Sequence, residues 1–257
     1  GVSLNVASGI ATISGTPSAG ITIQTVYNYQ ITTTGSPCSG TATGTITVDP
    51  DDAIALTSAV GTDAQVLCET DPLVDIVYEF SEGATSATVS GLPAGVISTI
   101  VGNDLTISGT PSAGITTTQV YPYTVTTVGT CASAILNGTI TVDPDDAIAL
   151  TSAVGTDAQV LCETDPLVDI VYEFSEGATS ATVSGLPAGV ISTIVGNDLT
   201  ISGTPSAGIT TTQVYPYTIT TIGTCASASL SGTITVDPEG GLNLISAAGT
   251  DAQVLCE

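Results

Sequence analysis

Residues 91–114 read GLPAGVISTIVGNDLTISGTPSAG, and the punctuation of this stretch decides the fold. Leu92-Pro93 marks a turn, because proline fixes φ and cannot donate to a sheet ladder. GVISTIV (95–101) is a run of mostly β-branched residues that stops at Gly102-Asn103-Asp104, a tight-turn sequence. DLTISG (104–109) returns with Leu105 and Ile107 on one face, and Gly109-Thr110-Pro111 turns the chain again. Two short strands bounded by Gly, Pro, Asn and Asp form a hairpin, and no apolar stripe of helical period is present.

The same grammar continues on both sides. AIALTSAV (53–60) is a strand, and DAQVLCE (63–69) is a short second piece placed on the same edge. DIVYEF (75–80) alternates, with Ile76, Tyr78 and Phe80 on one face, and ATVSG (87–91) follows. TQVYPYTVTTV (118–128) puts Tyr121, Tyr123 and Val125 on one face, and CASAILNGTITV (131–142) closes the series. Seven or eight short strands with regular turn signals predict an all-β sandwich.

The series then repeats. DPDDAIALTSAVGTDAQVLCE begins at Asp49 and again at Asp143, and a diverged copy, DPEGGLNLISAAGTDAQVLCE, begins at Asp237. The period is 143 − 49 = 94 residues, enough for one small domain per repeat. Residues 49–142 and 143–236 differ only at Val125/Ile219, Val128/Ile222, Ile135/Ser229 and Asn137/Ser231. Residues 1–48 match the C-terminal part of a repeat and residues 237–257 the N-terminal part. The expectation is a window on a longer array, with complete repeats at 49–142 and 143–236.

Composition removes whole classes of function. The chain has no Lys, Arg or His and 24 acidic residues, so its formal charge is −24. It cannot neutralise phosphates, which argues against nucleic acid and against electrostatic binding to anionic membranes. No apolar run reaches the roughly 20 residues of a membrane-spanning helix. Most general bases and oxyanion clamps are missing, and Glu79 and Glu82 lie in no protease or glycosidase motif, so no enzyme is expected. GTPSAG lacks the Lys and the helix of a phosphate loop. Salt bridges between side chains are impossible, so packing, backbone hydrogen bonds and disulfides must hold the fold.

Each complete repeat carries two cysteines, Cys68 and Cys131, then Cys162 and Cys225. Cys38 and Cys256 belong to the partial repeats. Regular cysteine pairs in a sheet-rich chain read as structural disulfides and an oxidising, extracellular compartment. The linker aspartates Asp49, Asp51 and Asp52, repeated as Asp143, Asp145 and Asp146, are candidate Ca²⁺ ligands, since calcium takes six to eight hard oxygens. Against this, no D-x-D-x-D loop is present, and a solvated acidic linker explains the same residues. Asn137-Gly138-Thr139 is a lone glycosylation sequon, lost in the next repeat at Ser231.

The stretch 91–114, followed by YPYTVTT and GTITV, resembles the bacterial Ig-like repeats with a G-L-P-x-G…ISGTP…Y-x-Y-T-V signature. SAVGTDAQVLC and GTC…GTITV are similar to the subset in giant secreted surface proteins of Bacteroidota. The resemblance covers essentially the whole chain. It implies tandem Ig-like β-sandwiches in cell-surface adhesins or filaments, often exported by the type 9 system. In such a sandwich the first and last strands can run side by side, which favours the pairs Cys68–Cys131 and Cys162–Cys225, with Cys38 and Cys256 paired outside the chain. Each would close a loop of 131 − 68 = 63 residues, for about 4 kcal/mol of stabilisation in the chain-entropy model. Cys38–Cys68 and Cys131–Cys162 are the alternative, a staple between neighbouring domains.

The expected role is therefore an extracellular filament or stalk, supporting attachment or surface motility. Its expected partners are other copies of the chain or further repeats, with a surface ligand that the sequence does not identify. A multivalent glycan- or protein-binding array and a surface-layer protein are the other readings.

Overall fold

The computed structural model describes residues 1–35, 37–241 and 245. The chain divides into two compact units, Gly1–Pro144 and Asp145–Glu257. The first unit opens with β1 (Val2–Ala7) and β2 (Ile10–Gly15), paired antiparallel, then β3 (Thr25–Thr32) and β4 (Thr41–Val48), also antiparallel. The complete repeat follows as β5 (Asp52–Leu56), β6 (Ala64–Cys68), β7 (Ile76–Glu82), β8 (Ala84–Ser90), β9 (Val96–Val101), β10 (Asp104–Gly109), β11 (Gln119–Gly129) and β12 (Ile135–Asp143). In the second unit the same eight strands recur as β13 (Asp146–Leu150), β14 (Ala158–Cys162), β15 (Ile170–Glu176), β16 (Ala178–Ser184), β17 (Val190–Val195), β18 (Asp198–Gly203), β19 (Gln213–Gly223) and β20 (Ser229–Asp237).

Each complete repeat has two four-stranded sheets. In the first repeat the orders are β5-β7-β10-β9 and β6-β12-β11-β8. The sheets close over one core: Ile76, Tyr78 and Phe80 from β7 and Leu105 and Ile107 from β10 meet Tyr123 and Val125 from β11 and Ile140 and Val142 from β12. The period-2 alternation read from the sequence is what delivers these side chains to one face. The second repeat buries the equivalent set around Tyr172, Phe174, Tyr217 and Ile234. The turn before β9 places Gly95 at φ 87 against the Thr110 carbonyl, where a Cβ would overlap the backbone.

One strand placement differs from the sequence reading. The segments at 53–60 and 63–69 do not share an edge. β5 pairs antiparallel with β7 in one sheet, and β6 pairs parallel with β12 in the other. The chain changes sheets through a turn in which Thr62 N donates to Ala59 O and Ala64 N to Gly61 O. The Ser58 and Thr62 hydroxyls, 2.7 Å apart, tie that corner.

Candidate functional site

The functional residues read from the sequence gather at the two ends of each sandwich. The leading pole is the end where the linker aspartates enter, and the trailing pole is the end where the last strand leaves.

At the leading pole of the first repeat, Asp52 N donates to Ala132 O at 3.0 Å and Gly83 N to Asp51 O at 3.2 Å. Asp51 Oδ1 accepts from Ala132 N at 3.3 Å. The exposed thiol of Cys131 donates to Asp49 O at 3.7 Å. The packing around its sulfur, and then the carboxylates of Asp49, Asp51 and Asp52, push that thiol above its ordinary value. Asp49 Oδ1 accepts from Gln24 Nε2 at 2.6 Å. The second repeat reproduces the frame: Asp146 N donates to Ala226 O at 2.9 Å, and Asp145 Oδ1 accepts from Ala226 N at 3.2 Å. Cys225 immediately precedes Ala226 and therefore lies at this pole.

Asp52 and Asp146 are different from the other linker acids. Both are buried, and neither oxygen of either carboxylate has a hydrogen-bond partner. Each packs against a glycine, Gly129 and Gly223, where any Cβ would overlap the carboxylate.

At the trailing pole, the parallel register sets Cys68 opposite Asp143 and Cys162 opposite Asp237. Glu69 N donates to Asp143 O at 2.8 Å. The buried Glu69 carboxylate accepts from Gly114 N at 2.6 Å and Ile115 N at 3.1 Å, so it clamps the end of the GTPSAG loop. Glu163 does the same with Gly208 N at 2.5 Å and Ile209 N at 3.0 Å, and also accepts from Glu239 N at 3.2 Å. Hydrogen bonds from Ile209 and Glu239, opposed by desolvation and aided by Gly208, hold the Glu163 carboxyl below its ordinary value. Asp143 Oδ1 accepts from Thr118 Oγ1 at 2.6 Å.

One expectation is corrected here. The pairs Cys68–Cys131 and Cys162–Cys225 do not form: Cys131 and Cys162 are free thiols, while Cys68 and Cys225 are each disulfide-bonded. The reason is the strand register. The last strand does lie beside the Cys68 strand, but parallel to it, so Cys68 meets the end of β12 at Asp143, whereas Cys131 precedes its start. From Ile135 to Asp143 the strand rises eight residues, about 26 Å. A disulfide tolerates Cα separations up to about 7 Å. The alternative pairs Cys38–Cys68 and Cys131–Cys162 fail too, because Cys38, Cys131 and Cys162 are all free. Cys256 lies outside the described residues.

The candidate calcium ligands are not brought together. Among the described residues no three Asp, Glu or Cys side chains converge on a point that could hold a metal ion. Asp49, Asp51, Asp143 and Asp145 each take separate hydrogen bonds instead.

A cleft of about 510 Å³ in residues 1–48 is not a ligand site by its chemistry. Its walls include Ile13, Tyr29, Ile46 and Val48. Their equivalents 94 residues on, Ile107, Tyr123, Ile140 and Val142, are core of the complete repeat, where β5–β8 cover them.

No protein-family model matches the chain, and no curated protein sequence does. Solved structures do. Three consecutive Ig domains of titin (I67–I69, an E-to-A variant) match at a TM-score of 0.57 and 10% identity, over 92% of this chain and 82% of that one. The five-domain extracellular cadherin fragment of protocadherin gamma B2 matches at a TM-score of 0.46 and 11% identity, over 85% of this chain and 46% of that one. Another I67–I69 titin fragment matches at a TM-score of 0.44 and 11% identity, over 67% of this chain and 62% of that one. The chain thus spans less than two thirds of some of the structures it matches. At these identities the likeness concerns fold alone, and the fold is a tandem array of Ig-like β-sandwiches.

Proposed function

We propose that the chain is a section of an extracellular filament or stalk in a bacterial cell-surface adhesin. The observation that carries this is the sameness of the two complete repeats. They share strands, cores, loop clamps and leading-pole hydrogen bonds, and nothing distinguishes one as an active site. A chain that copies a whole domain gains length with each copy. The disulfide-bonded Cys68 and Cys225 support an oxidising compartment. The absence of every basic side chain from the sequence supports a non-catalytic role. The resemblance to Bacteroidota surface repeats supports the adhesin context, and further repeats or other copies of the chain are its natural partners.

The test is electron microscopy of the native material, with and without a calcium chelator. A beaded thread with one bead per 94 residues, unchanged by chelation, is the expected result. A thick helical fibre with several chains in cross-section would replace the stalk by a polymerising filament. Tight ligand binding by three repeats and weak binding by one would instead favour a multivalent binding array.

A further inference from the structure

β9 (Val96–Val101) is an outer strand of its sheet, and its far edge is open. Among the described residues no strand lies beyond it. The other outer strands of the first complete repeat are blunted, as sheet edges usually are. β5 and β6 are only five residues long, and β6 runs between Asp63 and Glu69. β8 slips its register against β11 at Val128/Gly129. β9 has none of these devices. VISTIV carries no charge and no proline, and every residue from Val96 to Val101 pairs with β10 in unbroken register.

The ladder fixes which backbone groups face the open side. Thr110 N donates to Gly95 O at 3.2 Å, so these two residues form a hydrogen-bonded pair. Bonded and non-bonded pairs alternate along an antiparallel ladder. Ile97, Thr99 and Val101 therefore turn N–H and C=O toward β10, while Ser98 and Ile100 turn theirs outward. The side chains sort by the same period. Ser98 and Ile100 stand opposite the core residues Ile107 and Leu105. Ile97, Thr99 and Val101 stand on the outer face, opposite Ser108, Thr106 and Asp104. Ile97 and Val101 are 60% and 79% exposed.

We propose that β9 is a self-pairing edge: it binds β9 of a second copy of the chain, antiparallel, with Thr99 opposite Thr99. The two-fold axis passes between the threonines. Ser98 of each copy then exchanges backbone hydrogen bonds with Ile100 of the other, which uses the very groups that the ladder turns outward. On the outer face Ile97 stands opposite Val101 and threonine opposite threonine, both favourable cross-strand pairs. A second copy is the occupant because the edge is its own complement in this register. Centring the pairing on Ser98 sets Ile97 against Thr99, and centring it on Ile100 sets Ile97 against Asn103, so both lose the apolar match.

One such contact is weak, because stable interfaces bury about 1,200–2,000 Å² and a single short edge offers less. The edge recurs, however. In the second unit β17 (Val190–Val195) has the same register with β18, and Ile191 and Val195 are again exposed. Edges that engage together raise the avidity of one chain for another. An isologous contact uses up both edges, so it joins two copies and does not propagate. The copies are both strongly negative, so salt should tighten the pairing by screening their repulsion. The inference names the surface by which stalks associate, and for that setting it rests on the stalk reading.

The experiment uses full-length chains, their free thiols capped with iodoacetamide, in sedimentation velocity over a range of concentrations. One variant carries Ile97→Lys, Val101→Lys, Ile191→Lys and Val195→Lys. A second carries Ile97→Glu, Val101→Glu, Ile191→Glu and Val195→Glu. The register sets position 97 against position 101, so each variant alone faces like charges, while their mixture faces lysine with glutamate. The proposal expects the wild-type chain to self-associate, more tightly at high salt. Each variant alone should associate about tenfold more weakly, and the mixture should recover. The lysine variant is the sharper case, because its smaller net charge would otherwise favour association. A wild-type chain that stays monomeric overturns the proposal. So do single variants that associate as tightly as the wild type, and a mixture no tighter than its components. Each of these leaves the stalk reading standing, since microscopy of single threads tests that separately. If a variant lacks β-sheet signal in circular dichroism, hydrogen exchange of the wild-type chain, read by NMR, decides. The Ser98 and Ile100 amides should slow as concentration rises, and rates independent of concentration overturn the proposal.

Discussion

Tyr78 and Tyr123 meet hydroxyl to hydroxyl in the centre of the sandwich, 2.9 Å apart, from opposite sheets. Tyr123 also donates to Asp63 O at 3.3 Å, which leaves Tyr78 as the donor to Tyr123. The relay recurs as Tyr172, Tyr217 and Asp157 O, at 3.0 and 3.2 Å. Burial is the main cause that raises all four phenols above their ordinary value, so they are neutral donors at any physiological pH.

The central position of the relay belongs to Tyr123 and Tyr217. Tyr123→Phe with Tyr217→Phe strands the buried Tyr78 and Tyr172 hydroxyls, while Asp63 O and Asp157 O keep their bonds from Thr139 N and Thr233 N, at about 1–3 kcal/mol for each repeat. Tyr78→Phe with Tyr172→Phe keeps the bond to the backbone and costs less, about 0.5–1.5 kcal/mol. Urea unfolding of the two double variants checks the order. Midpoints equal to that of the wild-type chain in both variants would mean that the hydroxyl pair contributes nothing beyond its packing.

Gly138 lies flat beneath the Tyr123 ring. A Cβ there would overlap the ring, its hydroxyl and Asp63 O, and Gly232 stands in the same relation to Tyr217. Gly138→Ala is expected to cost about 1–3 kcal/mol, because a close-packed core absorbs one added carbon poorly. The measurement is again the urea midpoint, and a neutral result would show that Tyr123 has room to move.

The strands were legible because alternation and turn residues act locally. Tyr78, Leu105, Ile107 and Tyr123 reach the core through a period of two that any window of six residues displays. The cysteine pairing was not legible, because it depends on whether β6 runs parallel or antiparallel to β12. That is a long-range register, and no residue near Cys68 or Cys131 encodes it. The loop-clamp role of Glu69 and Glu163 was not legible for a similar reason. Beside a cysteine and near the linker they look like solvated acids, and only the folded GTPSAG loop supplies the donors that bury them. The aspartate run misled in the other direction: adjacent carboxylates suggest shared ligation, yet alternation along the chain sends Asp51 and Asp52 to different surroundings.

Asp52 and Asp146 hold buried carboxylates without hydrogen-bond partners. Desolvating an unpaired charge is costly, and an amide of the same shape removes the charge while keeping the volume. Asp52→Asn with Asp146→Asn is expected to stabilise each repeat by about 1 kcal/mol or more at pH 7. For domains of this size that raises Tm by roughly 4–8 °C. Calorimetry checks it. A lower Tm would mean that a bound cation neutralises the carboxylate, and would return calcium to the leading pole.

Glu163 makes acid stability a direct test of the loop clamp. Its native value is lowered from 4.5 by the hydrogen bonds of Ile209, Glu239 and Gly208. A carboxyl with a lowered native value binds protons more readily when unfolded. It therefore contributes stability in full above pH 4.5, and loses that contribution as pH falls through the lowered native value. Glu163→Gln keeps the shape but cannot offer the charged acceptor. The wild-type chain should have the higher urea midpoint from pH 6 to 8, with a constant gap. Below about pH 4 the gap should narrow steadily as the wild-type carboxyl protonates. Relief of the −24 self-repulsion in acid affects both chains almost equally and cancels in the difference. A gap that stays constant to pH 2 would mean that the loop is held by the backbone bonds around Thr164 and Pro205, and that the carboxylate is incidental.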